Sequence, residues 1–179
     1  MSTLSKALAA AAGNAGADKP NVEDVFSTYL YDGTSTTNNI VNGIDLDGEG
    51  GLVWFKNRTL GENHILYDTE RGVTKCLQTN DTSDELTNSW ISSFNSDGIS
   101  IAFGTSNAEI NNSSYDYVSW TFRKAPRFFD VVTYTGNGTA GREIAHNLGC
   151  DVGMMIVKAT SISEDWAVYH KSLGSTKAL

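Results

Sequence analysis

The 179-residue chain carries 21 acidic against 13 basic side chains, a net charge of −8, so it presents no basic footprint for a phosphate backbone or an anionic lipid surface and nucleic acid is not expected as a partner. Seventeen glycines, with abundant Ser, Thr and Asn, divide short runs of Val, Ile, Phe, Tyr and Trp, the composition of a β protein rich in polar turns and long enough for a real core in one or two domains. No apolar run approaches the ~18 residues that a membrane-spanning helix needs, so membrane insertion is not expected.

In chain order, residues 2–12 offer a short helix with Ser2 or Thr3 as N-cap and Leu4, Leu8 and Ala11 on one stripe, ended by Gly13-Asn14-Ala15-Gly16. Met1–Lys6 followed by Ala7–Ala12 has the outline of a secretory leader, but one Lys and weak hydrophobicity argue against it. So short a helix is marginal alone, so residues 1–24 are read either as a loose tail or as an anchor arm docked on a partner through Leu4, Leu8 and Ala11.

Residues 25–31 read as a strand closed by the turn Asp32-Gly33-Thr34, and 51–57 as a second, more apolar strand with Asn39–Leu46 as its hairpin partner. Further strands are expected at 65–67, 89–91, 99–103 and 117–122, with Asn95-Ser96-Asp97-Gly98 as a turn. Arg123-Lys124-Ala125-Pro126-Arg127 interrupts the pattern, because proline restricts its predecessor and lacks a donor, and places a domain boundary near residue 125. Strands at 128–135 and 153–158 then follow, with 142–148 as a partner. Short strands and polar turns predict an all-β, antiparallel β-sandwich or jelly-roll-like, lectin-like unit at 25–125.

The second part echoes the first. Gly51-Leu52-Val53-Trp54-Phe55-Lys56, Leu66-Tyr67, Gly72 and Thr74-Lys75 recur 102 residues on as Gly153-Met154-Met155-Ile156-Val157-Lys158, Val168-Tyr169, Gly174 and Thr176-Lys177, with Tyr31 and Tyr134 ahead of them. Residues 126–179 therefore read as the start of a second, incomplete copy, with Gly51–Lys56 and Gly153–Lys158 as equivalent central strands. Apolar surface left on that half-unit favours a homo-oligomer, most plausibly a trimer.

Candidate chemistry is sparse. Asp45, Asp47 and Glu49 cluster in a Gly-rich turn, a hard-oxygen array of the kind Ca²⁺ prefers but short of a full loop pattern. A solvated turn is the favoured reading, and no cofactor is expected. His64, His146 and His170 lack metal-ligand spacing. Glu62, Asp68, Glu70 and Asp97 are the carboxylates available for glycosidase chemistry, yet nothing pairs them, and the chain is read as non-enzymatic. Cys76 and Cys150 fit no Cys-x-x-Cys pair and read as buried free thiols. Of the four tryptophans, Trp54 and Trp120 sit in apolar strands and read as core, while Trp90, between polar residues, is the better candidate for an exposed sugar-stacking ring.

Taken together, the segments Gly43–Trp54, Ser93–Gly98 and Val132–Gly138, and above all Trp120-Thr121-Phe122-Arg123-Lys124-Ala125-Pro126, resemble a family of virion-associated proteins of marine tailed bacteriophages, including phages of cyanobacteria. The resemblance covers the whole chain. It implies lectin-like β-sandwich units in a longer, repeat-containing tail fibre. On that basis the chain is expected to be the tail-proximal part of a fibre in the virion tail, bound to an adaptor, nozzle or baseplate protein, with distal repeats reaching the host. It transfers no catalytic residues. The alternatives are a carbohydrate-binding module for host surface glycans and a head decoration protein.

Overall fold

The computed structural model of the protein describes residues 19–104, 107–175 and 177. The helix expected at 2–12, with Leu4, Leu8 and Ala11, lies outside them. One helical turn, Val22–Val25, leads into β1 (Phe26–Asp32), followed by β2 (Asn38–Val41), β3 (Gly51–Asn57) and β4 (Ile65–Asp68). Then come β5 (Lys75–Gln78), β6 (Leu86–Thr87), β7 (Ile91–Asn95), β8 (Gly98–Ile101) and β9 (Asp116–Arg123). All pairings are antiparallel and build two sheets, a six-stranded one in the order β1-β9-β3-β4-β5-β6 and a three-stranded one in the order β2-β8-β7. The protein is an all-β sandwich.

The central strand shows why. In β3 residues Gly51, Val53, Phe55 and Asn57 are buried and Leu52, Trp54 and Lys56 half-buried, the two-residue period of a strand. Its buried side, with Ile65, Tyr67 and Cys76 from β4 and β5, meets Ile40, Ile91, Ile99 and Ile101 of the smaller sheet. Ile44 and Leu46 from the β2–β3 connection and Ile110 from the β8–β9 connection complete this core. Asn42 Nδ2 donates to Thr121 Oγ1 at 2.8 Å, tying the β2–β3 connection to the large sheet.

One end is closed by residues 107–115. Tyr31 Oη donates to the Ile110 carbonyl (2.7 Å), Tyr117 Oη to that of Ala108 (2.9 Å), and the two rings stack at 5.2 Å. Buried Asn111 accepts from Thr34 N and Asn38 Nδ2 and donates to the Thr36 carbonyl, so three turn groups are satisfied by one amide. The β7–β8 hairpin turns on Ser96-Asp97 and needs Gly98, where φ is +150° and a Cβ would lie 1.9 Å from the Ile40 carbonyl oxygen.

Several expectations change. Residues 39–46 form no hairpin with β3; β2 pairs with β8, because Ile40 and Ile99 stand opposite each other with both side chains in the core. Ser89 and Trp90 precede β7, and β5 and β6 are strands that periodicity alone did not reveal. Residues 128–135 do not form a strand. Ala125 bridges to Phe129, Arg127 turns at φ +64°, and Phe128 and Phe129 fold back onto Phe122 at 6.5 and 5.4 Å, so this aromatic run covers the first unit. Residues 142–148 are also without a strand.

The second copy appears as a two-stranded sheet of β10 (Met154–Val157) and β11 (Ala167–His170). Its register is that of β3–β4 moved by 102 residues: Val53 opposite Tyr67 becomes Met155 opposite Tyr169, and Phe55 opposite Ile65 becomes Val157 opposite Ala167. Even the flanking bond recurs, Thr69 N to the Gly51 carbonyl (3.0 Å) matching Lys171 N to that of Gly153 (2.8 Å). The surroundings differ, however. β3 is central, whereas β10 is an edge with Met154, Met155 and Ile156 about half exposed, so the two are not equivalent central strands. The segment between β10 and β11 leans on the first unit through Trp166 Nε1 to the Asp81 carbonyl (3.1 Å) and through paired amides at Glu85–Thr160 and Glu164–Thr82.

Candidate functional site

The face of the six-stranded sheet turned away from the smaller sheet carries the most distinctive surface. Strand registers align its side chains in rows: Thr28, Trp120, Trp54, Leu66 and Leu77 across five strands, flanked by Phe26, Phe122 and Leu52 on one side and Leu30, Val118 and Lys56 on the other. Leu66, Leu77 and Val118 are buried by their neighbours, whereas Trp54, Trp120, Leu52 and Phe122 are half-buried and Leu30 is exposed.

At the centre Trp54 and Trp120 meet edge to face at 5.7 Å, and the His64 ring lies 6.0 Å from Trp54. Trp54 Nε1 and His64 Nδ1 are both shielded from water and have no hydrogen-bond partner among the described residues. Burial, then the neighbouring Lys56 charge, lowers the His64 pKa below its ordinary value, so the ring is neutral at pH 7. The Lys56 ammonium is held by the carbonyls of Leu60 and Glu62 at 3.2 and 3.1 Å. The row thus presents two half-buried aromatic rings beside a neutral imidazole, a surface suited to an apolar ring face.

The tryptophans differ from expectation, with Trp54, Trp90 and Trp120 all half-buried. Trp54 and Trp120 line the outer face, while Trp90 packs against the core cluster. The available signal was that β3 is apolar at every position from Leu52 to Phe55; burial of one face leaves the other to a second surface.

The carboxylates are scattered. Asp45 Oδ1 accepts from Gly48 N at 2.8 Å, Glu49 lies 3.7 Å from Arg123, and Asp47 is exposed, so the turn spends its acids separately. Among the described residues no three His, Cys, Asp or Glu side chains are placed to hold a metal ion. Asp68 is buried against Arg71 (2.6 Å), which also reaches Glu85 (3.4 Å), and Glu70 pairs with Lys124 at 2.6 Å. Asp97 lies in the β7–β8 turn, where its carbonyl accepts from Asn42 and Gly43. His146 and His170 brace the turns that follow them through Leu148 N and Ser172. Cys76 is a buried thiol whose pKa burial raises, and it accepts from Asn88 Nδ2; Cys150, expected to be buried, is exposed.

Fold and surface together define an antiparallel β-sandwich with an aromatic outer sheet face and a partly repeated hairpin. Residues 21–179 match the family described as a domain of unknown function, DUF7483, and the chain belongs to that family. No curated protein and no solved structure matches it.

Proposed function

We propose that the protein is a non-catalytic structural module of a phage virion, the tail-proximal part of a tail fibre, built from repeated β units. The observation that carries this reading is the hairpin used twice in one register, β3–β4 and β10–β11. Repeated supersecondary units, each leaving a face for the next, are how elongated proteins are assembled. The resemblance of Trp120–Pro126 and its companion segments to virion proteins of marine tailed phages gives that architecture a place. On this reading residues 1–24 dock on an adaptor, nozzle or baseplate protein, and the half-exposed apolar face of the second hairpin favours a homotrimer.

Immunogold labelling of intact virions with antibodies to residues 26–123 tests it. Label at the tail is the expected result, and label absent from particles or confined to the head refutes it. Sedimentation at micromolar concentration tests the trimer, which a stable monomer would exclude.

The Trp54–Trp120 pair supports a second reading, contact with a host surface glycan through the outer sheet face. A glycan array should then give hits that Trp54→Ala and Trp120→Ala abolish. An array without hits removes this reading and leaves the structural one intact.

A further inference from the structure

We propose that the free edge of β10 is a strand-acceptor site, and that its occupant is an antiparallel strand of the β9 type, alternating aromatic and hydroxyl side chains, supplied by a separate partner protein. The inference rests on the repeat reading above and specifies what completes the second sheet.

In an antiparallel strand the N–H and C=O of one residue point to the same side, and successive residues alternate. Thr69 N donates to the Gly51 carbonyl, so residues 51, 53 and 55 turn their backbone groups to β4; Lys124 N donates to the Gly50 carbonyl (2.9 Å), so 50, 52 and 54 turn theirs to β9. In the second copy Lys171 N donates to the Gly153 carbonyl, which assigns 153, 155 and 157 to β11. The N–H and C=O of Met154 and Ile156 therefore project from the free edge of a two-stranded sheet.

Among the described residues nothing protects that edge. β10 holds neither a charge nor a proline, the usual defences of an exposed strand, and Met154, Met155 and Ile156 are 53%, 49% and 53% exposed. The counterparts in the first copy are covered: β9 lies against β3 with Phe122 opposite Leu52, Thr121 opposite Val53, Trp120 opposite Trp54 and Ser119 opposite Phe55. Transferred by the register the two hairpins share, the incoming strand sets an aromatic residue opposite Met154 and Ile156 and a Ser or Thr opposite Met155 and Val157. β9 itself is held between β1 and β3, so it cannot serve both sheets. Backbone bonds then supply affinity and the alternation of aromatic and hydroxyl side chains supplies register. A second copy's β10 is a poorer occupant, since it brings no such alternation.

The test uses a fluorescein-labelled peptide with the sequence of residues 115–124, titrated into the full chain and followed by anisotropy. Saturable binding is expected, with none for a scrambled peptide. Ile156→Pro and Met154→Pro each remove an outward N–H while leaving the β10–β11 ladder intact, and should each weaken binding by about tenfold or more. In the unsubstituted chain, bound peptide should slow hydrogen exchange at Met154 and Ile156 and leave Met155 and Val157 unchanged, a readout that does not depend on the variants folding. Absence of binding, undiminished binding to both proline variants, or protection elsewhere overturns the proposal. So does a dimer that Ile156→Pro dissociates and the peptide does not, which would make a second copy the occupant. Failure here leaves virion labelling untouched, so the two readings fall separately.

Discussion

Val53 and Met155 hold the same place in the two hairpins, yet one is fully buried and the other 49% exposed, so the same substitution at each should give opposite outcomes. Val53→Asp loses the burial of a valine, about 1.5–3 kcal/mol. It also places a carboxyl between Tyr67 and Thr121, its cross-strand neighbours, in the isoleucine-lined core. A carboxylate buried without a cation is held protonated, and if its pKa rises by about 3 units, maintaining that state at pH 7 costs about 4 kcal/mol more. The total, roughly 5–7 kcal/mol, is comparable to the whole stability of an ordinary domain, so Val53→Asp should be largely unfolded at pH 7. The sign of the pH dependence follows. Because the folded pKa is raised, the proton is bound more tightly in the folded state, and stability is recovered as pH falls toward the unfolded Asp value near 4. Met155→Asp should stay within about 0.5 kcal/mol of the parent, as exposed substitutions do. Urea unfolding followed by tryptophan fluorescence at pH 7 and pH 4.5 measures both. Equal costs at the two positions, or a Val53→Asp cost independent of pH, would refute the assignment of core and open edge.

Burial raises the pKa values of Tyr31 and Tyr67, and Tyr117 is pushed up to about 12, so all three stay protonated in the fold while unfolded tyrosines ionise near pH 10. Stability should thus be little affected by these groups well below pH 10 and fall by about 3 kcal/mol per pH unit between pH 11 and 12, about 1.4 kcal/mol for each of Tyr31 and Tyr67 and less for Tyr117 as pH nears its folded value, and a denaturation midpoint unchanged to pH 12 would contradict it. Arg71→Ala leaves the buried Asp68 carboxylate without its cation and should cost about 3–5 kcal/mol, much of it recovered in Arg71→Met/Asp68→Asn, whereas a melting temperature equal to the parent's would count against a buried pair. Millimolar Ca²⁺ should leave the melting temperature unchanged, because Asp45 and Glu49 are engaged with Gly48 and Arg123; a concentration-dependent rise would place a cation in that turn after all.

The elements legible in the sequence were those whose pattern is local. β1, β3, β4, β8 and β9 follow from β-branched and aromatic runs, and Asn95–Gly98 from its turn chemistry. What escaped depends on the third dimension. Phe128 and Phe129 have strand-like composition, but their rings are drawn onto Phe122, and that contact outweighs β-propensity. β6 is two residues long, below what periodicity can register. Trp54 and Trp120 looked like core because composition cannot say which face of a strand a sheet will cover, and Trp90 looked exposed because polar neighbours describe the chain and not the fold. The repeat was visible as a string of residues, but only strand pairing shows that it preserves register, down to the bond that begins the hairpin. Identical pairing in unlike surroundings separates two things that composition merges, since the hairpin is specified by its own residues and its burial by whatever strand lies beside it. For β3 that strand is β9, whereas among the described residues β10 has only β11 beside it, and Met154 and Ile156 are left half exposed.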